Sequence, residues 1–192
     1  MILRGIVALL LAVLVGCAGT HNPQWSPGQP GLQFVEGVPF IAQQDRNDCG
    51  PAALASLLGH QGLSLPLVQI EAAVYDERLG GTLLADMENF ARLQGQEPRS
   101  GRGDPEWLQA MIDAGRPVVI LVDMGFGPLR RPHYLVVFGY DSERFLVYDG
   151  RSAGVFMDRA DLASRWEAMN RLYLYLHTTD AQENGAEQAG QG

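Results

Sequence analysis

The chain contains no lysine: all fourteen basic residues are arginine, scattered along 192 residues of formal net charge −8. Without a basic cluster there is no electrostatic footprint for nucleic acid, and the acidic balance bears on solubility alone. Cysteine is scarce, with only Cys17 and Cys49, and histidine is limited to His21, His60, His133 and His177. Such dispersed ligands make no zinc set, and no metal or other cofactor is expected. The apolar run from Gly5 to Val15 falls far short of the roughly 20 residues that a membrane-spanning helix needs. No internal repeat is present.

What the ends do contain is a processing signal. Met1 to Arg4 is a short basic start, the apolar run follows, and it closes in Leu-Val-Gly-Cys at Leu14–Cys17. That pattern resembles the lipobox of bacterial lipoproteins. The resemblance implies a signal peptide over 1–16, cleavage before Cys17, and lipidation of its thiol and new amino terminus. Several acyl chains anchor a protein to a membrane without spanning it. The expected location is therefore the cell envelope, on the periplasmic side of the outer membrane. From Cys17 to Gly37 the composition turns to Pro, Gly, Gln, Asn and Ser, which reads as a flexible tether. Residues 180–192 form a polar tail. Between them, 38–179 is the size of one domain with a sizeable core.

Within that domain Val38–Gln43 is β-prone and predicts a strand. Pro51 and the Ala/Leu run after Cys49 predict a helix to about Gly59. Further helices are expected over Leu67–Tyr75, over Leu83–Leu93 with Thr82 as cap, after Asp104-Pro105, and over Arg159–Ala168 with Asp158 as cap. Strands are expected over Pro117–Met124, from His133, up to Asp149, and over Arg171–Thr178. Trp107 and Trp166 read as core. Helices first and strands later give an α+β class, a helical part packed on an antiparallel sheet.

Once Cys17 is lipidated, Cys49 is the only free thiol of an exported chain, which points to intermolecular pairing or a reactive thiol, with a buried structural cysteine as the plain alternative. At a helix N-terminus the macrodipole and unpaired N–H groups favour thiolate, so a lowered thiol pKa is expected there. Gly50 lets a substrate backbone approach. His133 opens a strand after a Gly/Pro-rich loop and can serve as base. Asp149 ends the partner strand, where a short hairpin would bring its carboxylate to the second ring nitrogen. Asp141, at the hairpin turn, is the weaker alternative. Gln43 or Gln44 can donate an amide N–H to an oxyanion, beside the Cys49 N–H. Arg130 and Arg131 are left outside the site as a solvated loop pair.

Gln-Gln-Asp-Arg-Asn-Asp-Cys-Gly-Pro at 43–51, then His-Tyr-Leu-Val-Val-Phe-Gly-Tyr-Asp at 133–141, then Val-Tyr-Asp-Gly at 147–150 resembles the bacteriocin-processing, double-glycine leader cysteine peptidases. The resemblance covers 38–178. It implies a papain-like fold, a Cys49–His133–Asp149 triad, and Gln43 rather than Gln44 as the oxyanion donor, since that family places its glutamine six positions before the nucleophile. It also implies a peptide or protein substrate. This chain has Asp149-Gly150 where the family has Asp-Pro, and a stand-alone exported lipoprotein member without a transporter domain is expected. Two alternative readings of the same parts are a catalytically silent peptide-binding module and an acyl or γ-glutamyl transferase.

Overall fold

The structure, a computed structural model, describes residues 25–177. The expected signal segment 1–16, Cys17 and the tail 180–192 lie outside these residues. The strands are β1 (Gln33–Phe34), β2 (Tyr75–Asp76), β3 (Gly81–Thr82), β4 (Glu97–Arg102), β5 (Val118–Asp123), β6 (Pro132–Tyr140), β7 (Arg144–Tyr148), β8 (Val155–Asp158) and β9 (Leu172–His177). The helices are α1 (Cys49–His60), α2 (Leu67–Val74), α3 (Leu84–Leu93), α4 (Pro105–Asp113) and α5 (Arg159–Glu167).

Six strands run in the order β4-β9-β5-β6-β7-β8, every neighbour antiparallel, and β1 joins by pairing with the end of β6. The pair β2–β3 forms a separate small hairpin. This is the α+β arrangement expected. The apolar strands Val118–Asp123 and Pro132–Tyr140 sit in the middle of the sheet, where both faces are covered. Helix α1 is apolar on every side, and Gly50 through Leu58 are all buried. A helix apolar all round is a core helix. Each fully buried leucine along it, such as Leu54 and Leu58, contributes about 1.5–3 kcal/mol. Helix α1 packs against β6 and carries α2 and α3 on its flank. The helix thereby brings its first residue, Cys49, to the sheet.

The hairpin β6–β7 pairs Val136 with Tyr148 and Tyr140 with Phe145. Its turn is held by Asp141, whose carboxylate accepts from the Glu143 and Arg144 N–H groups and pairs with the Arg144 guanidinium at 2.6 Å. Asp141 thus belongs to the far end of the hairpin from His133 and does not orient it.

Several expectations change. Val38–Gln43 is not a ladder strand: Pro39 interrupts it, and single bonds tie it down instead. The Tyr148 hydroxyl donates to the Val38 carbonyl at 2.8 Å, and the Gln43 N–H donates to the Gly150 carbonyl at 2.8 Å. Thr82 lies in β3 rather than capping α3, and Asp158 stands at the N-cap of α5 without a side-chain cap bond. Asp104 does cap α4, accepting from the Trp107 N–H at 2.7 Å. Strand β4 had no sequence signal, because Pro98, Ser100 and Gly101 are poor strand formers. It is an edge strand, where proline is tolerated, zipped onto β9 from Glu97–His177 to Arg102–Leu172. Trp166 is fully buried, whereas Trp107 is half-buried and stacks on Tyr173 at 4.0 Å.

The stretch 25–37 is also not free tether. Leu32 and Val35 are buried, and the Val35 N–H donates to the Phe138 carbonyl at 2.7 Å. Trp25 packs edge-on against Phe34 and Phe138 at 5.4 and 5.5 Å. A few apolar side chains in a polar segment suffice to seat it on a sheet that supplies the remaining apolar surface.

Candidate active site

Cys49 is the first residue of α1 and is half-buried, with Asp48 at the N-cap. Helix direction and sheet register deliver the thiol to β6, where the backbone N–H groups of Tyr134 and Gly50 both face the sulfur. Burial nevertheless pushes the thiol above the usual cysteine range, and the neighbouring Asp48 carboxylate pushes the same way. The expected lowering by the helix terminus is overturned. The N–H groups favour thiolate, but the loss of solvation is the larger effect. Gly50 serves packing: a Cβ there would meet the Thr82 side chain at 2.7 Å, so α1 can start only this close to β3 if the residue is glycine.

His133 is the second residue of β6, opposite Val122 of β5, and half-buried. Its Nε2 lies 2.7 Å from the main-chain oxygen of Asp149. A carbonyl oxygen only accepts, so Nε2 carries the hydrogen and Nδ1 of the neutral ring is left with its lone pair. Burial holds the imidazole below the usual histidine range. The Asp149 carbonyl and carboxylate pull it up, and Arg131 and Arg151 push it down. Both shifts favour the uncharged form, thiol at Cys49 and neutral imidazole at His133.

Asp149 is the residue expected, but a different group of it touches the ring. Its carboxylate Oδ1 accepts from the Arg151 and Ser152 N–H groups at 2.8 and 2.6 Å, closing the loop after β7. The main-chain carbonyl, aimed by that loop, holds the imidazole, while the carboxylate acts on it through charge alone. Gly150 has φ 82, which proline cannot adopt, and a Cβ there would land on the Gln43 side chain. The departure from Asp-Pro thus makes room for Gln43. Trp25 braces the same loop by donating from Nε1 to the Ala153 carbonyl at 3.0 Å.

Gln43 is half-buried against Gly150, and Gln44 is exposed. One Gln43 amide hydrogen goes to the Asp45 carbonyl at 2.7 Å, and its Oε1 is buried without a partner. Asp48 was not singled out from the sequence. It is 2% exposed, and its Oδ2 accepts from the Gln44 and Asp45 N–H groups at 2.7 and 3.1 Å. Its one visible signal was an acidic residue directly before the helix. Tyr134 was also missed; its hydroxyl, held well above the usual phenol range by burial, donates to the Thr82 carbonyl at 3.0 Å. Arg130 turns away from the cluster, to the Ala168 carbonyl and Asp123. Among the described residues no group of three or more His, Cys, Asp or Glu gathers to hold a metal, and no helix is long and apolar enough to cross a membrane.

A helix that starts on cysteine, laid against an antiparallel sheet whose central strand starts near a histidine, defines the papain-like cysteine peptidase fold. The chain belongs to the Peptidase_C39 like family, whose model matches residues 35–174. It is 21% identical over 127 residues to the Lactococcin-G-processing and transport ATP-binding protein LagD of Lactococcus lactis, covering 66% of this chain and 17% of that protein. The chain thus spans under a fifth of that relative's length. Among solved structures, the peptidase domain of Streptococcus ComA, a bi-functional ABC transporter involved in quorum sensing, aligns with TM-score 0.62 and 25% identity over 74% of this chain and 99% of that domain. A putative C39-like peptidase from Bacillus anthracis aligns with TM-score 0.64 and 18% identity, over 77% and 98%. A double glycine motif protease from an AMS/PCAT transporter, solved with its leader peptide, aligns with TM-score 0.62 and 22% identity, over 81% and 100%.

Proposed function

We propose that this chain is a cysteine peptidase that cleaves a peptide or an exported precursor, with Cys49 as nucleophile, His133 as base and Gln43 as oxyanion donor. The observation that carries the reading is the 2.7 Å contact from His133 Nε2 to the Asp149 carbonyl, which leaves Nδ1 as the basic nitrogen. The Cys49 sulfur attacks the substrate carbonyl carbon as its proton passes to Nδ1. The developing oxyanion takes hydrogen bonds from the Cys49 main-chain N–H, unpaired in the first helical turn, and from the second Gln43 amide hydrogen. The imidazolium then protonates the leaving amine, the C–N bond breaks, and a thioester remains. Water, deprotonated by the same nitrogen, hydrolyses it. Membership of the family, and the leader peptide seen with the AMS/PCAT protease, support a peptide as substrate.

The active state is the Cys49–His133 pair holding one mobile proton. The depressed imidazole puts the acid limb of kcat/KM below pH 6.5, and the raised thiol puts the alkaline limb above pH 9.0. Cleavage of a mixed peptide pool by the purified chain is expected to show this broad plateau and to stop on blocking of Cys49 with iodoacetamide. A pool left intact across that range would reject the peptidase reading.

The reading includes attachment through Cys17 to the periplasmic side of the outer membrane, which rests on the Leu14–Cys17 sequence. Changing Cys17 to Ser is expected to move the protein from the detergent phase to the aqueous phase, or to leave its first sixteen residues attached. Unchanged partition and processing would exclude a lipid on Cys17.

A further inference from the structure

We propose that Asp48 is a positioning residue of the oxyanion site, its buried carboxylate holding the Gln44 and Asp45 N–H groups so that the Asp45 carbonyl aims the Gln43 amide. The inference rests on the peptidase reading above and adds to it a residue that makes no contact with substrate. The chain of contacts is short. Asp48 Oδ2 accepts from Gln44 N at 2.7 Å and from Asp45 N at 3.1 Å, and the Asp45 carbonyl in turn accepts from Gln43 Nε2 at 2.7 Å. The residues between are exposed: Gln44, Asp45, Arg46 and Asn47 have solvent on their side chains, so the turn lacks apolar packing of its own. The carboxylate beneath it, 2% exposed, holds its main chain.

The position is a costly one for a carboxylate. Its other oxygen, Oδ1, is buried without a partner, and at the N-cap of α1 the side chain makes none of the cap bonds that such a residue ordinarily provides. A group that gives up helix capping to hold the preceding loop is placed for the loop. It also adjoins the nucleophile, where it adds to the burial that raises the Cys49 thiol. The other titratable groups that share the small cavity beside the sulfur are Tyr134 on β6 and Tyr148 on β7. Both tyrosines stay neutral below the phenol range. Asp48 is thus the carboxylate beside the thiol, and its influence there adds to that of burial.

Two variants separate these roles. Asp48→Ala removes acceptor and charge, whereas Asp48→Asn keeps an acceptor oxygen for the loop and removes the charge. Asp48→Ala is expected to lower kcat by about 10–10²-fold, the usual scale for a misplaced catalytic group. In a Gln43→Ala background the same change is expected to cost less than about two-fold, since a residue acting through Gln43 has nothing left to position. Asp48→Asn is expected to lose less kcat than Asp48→Ala, while Cys49 labelling by iodoacetamide moves to lower pH. Equal losses in the two backgrounds, or an unmoved labelling profile in folded Asp48→Asn protein, would overturn the proposal. Labelling reads the thiol without any turnover. An inert wild-type protein whose labelling still shifts in Asp48→Asn would therefore count against the peptidase reading and leave the influence of Asp48 on Cys49 standing.

Discussion

Changing His133 to Ala is expected to lower kcat by about 10⁴-fold or more, close to the loss from removing Cys49 itself, because groups that act as one unit fail together. The structure makes a second result follow. Burial raises the thiol and lowers the imidazole, so no resting ion pair supports the thiolate. Iodoacetamide is expected to label wild-type Cys49 slowly at pH 6 and faster as the pH rises through the alkaline range. His133→Ala is expected to leave that profile nearly unmoved while abolishing cleavage. The base then acts during attack and not before it. A shift of more than one pH unit would establish a resting ion pair. A fall in kcat of less than ten-fold would remove His133 from the base's role.

Gln43→Ala is expected to cost about 10²–10³-fold in kcat, the ordinary loss of one oxyanion donor, with KM little changed. Gln44→Ala is expected to change turnover less than about three-fold, since the exposed Gln44 contributes its main-chain N–H to Asp48 and its side chain contributes nothing to the loop. The reverse ranking would place the donor one residue along. The chemistry behind the difference is in the loop. Gln43 is locked between Gly150 and the Asp45 carbonyl, so its remaining amide hydrogen has a fixed direction before substrate arrives. A donor fixed beforehand costs no reorganisation when charge develops.

The parts of this site that were legible from the sequence are those whose signal is local. Pro51 with the Ala/Leu run placed Cys49 at a helix start, and two apolar runs around a three-residue turn placed His133 and Asp149 at the same end of a hairpin. What was not legible depends on contacts between distant segments. Burial of Cys49 by β6 and β7 reverses the effect of the helix terminus on its pKa, and no property of 48–52 alone reveals that burial. The choice between carboxylate and carbonyl at Asp149 is made by the Arg151 and Ser152 N–H groups, which capture the side chain. Strand β4 is a strand because β9 offers it six partners, against its own propensities. Likewise Trp25, Leu32 and Val35 have no periodic pattern, and only the sheet gives them a surface to cover.

That last feature changes the geometry of the attachment proposed through Cys17. A flexible stretch from Cys17 to Gly37 would let the domain roam up to about 70 Å from a lipid on Cys17. With the chain seated from Trp25 onward, the distance from Cys17 to Trp25 is at most about 29 Å. Trp25 enters beside Ala153, next to the loop that carries Asp149. Under the anchor proposed on Cys17, a domain on so short a leash would work within one domain diameter of the membrane surface. On that proposal its substrates would be those that arrive at that surface, and a precursor drifting through the bulk of the compartment would meet it rarely.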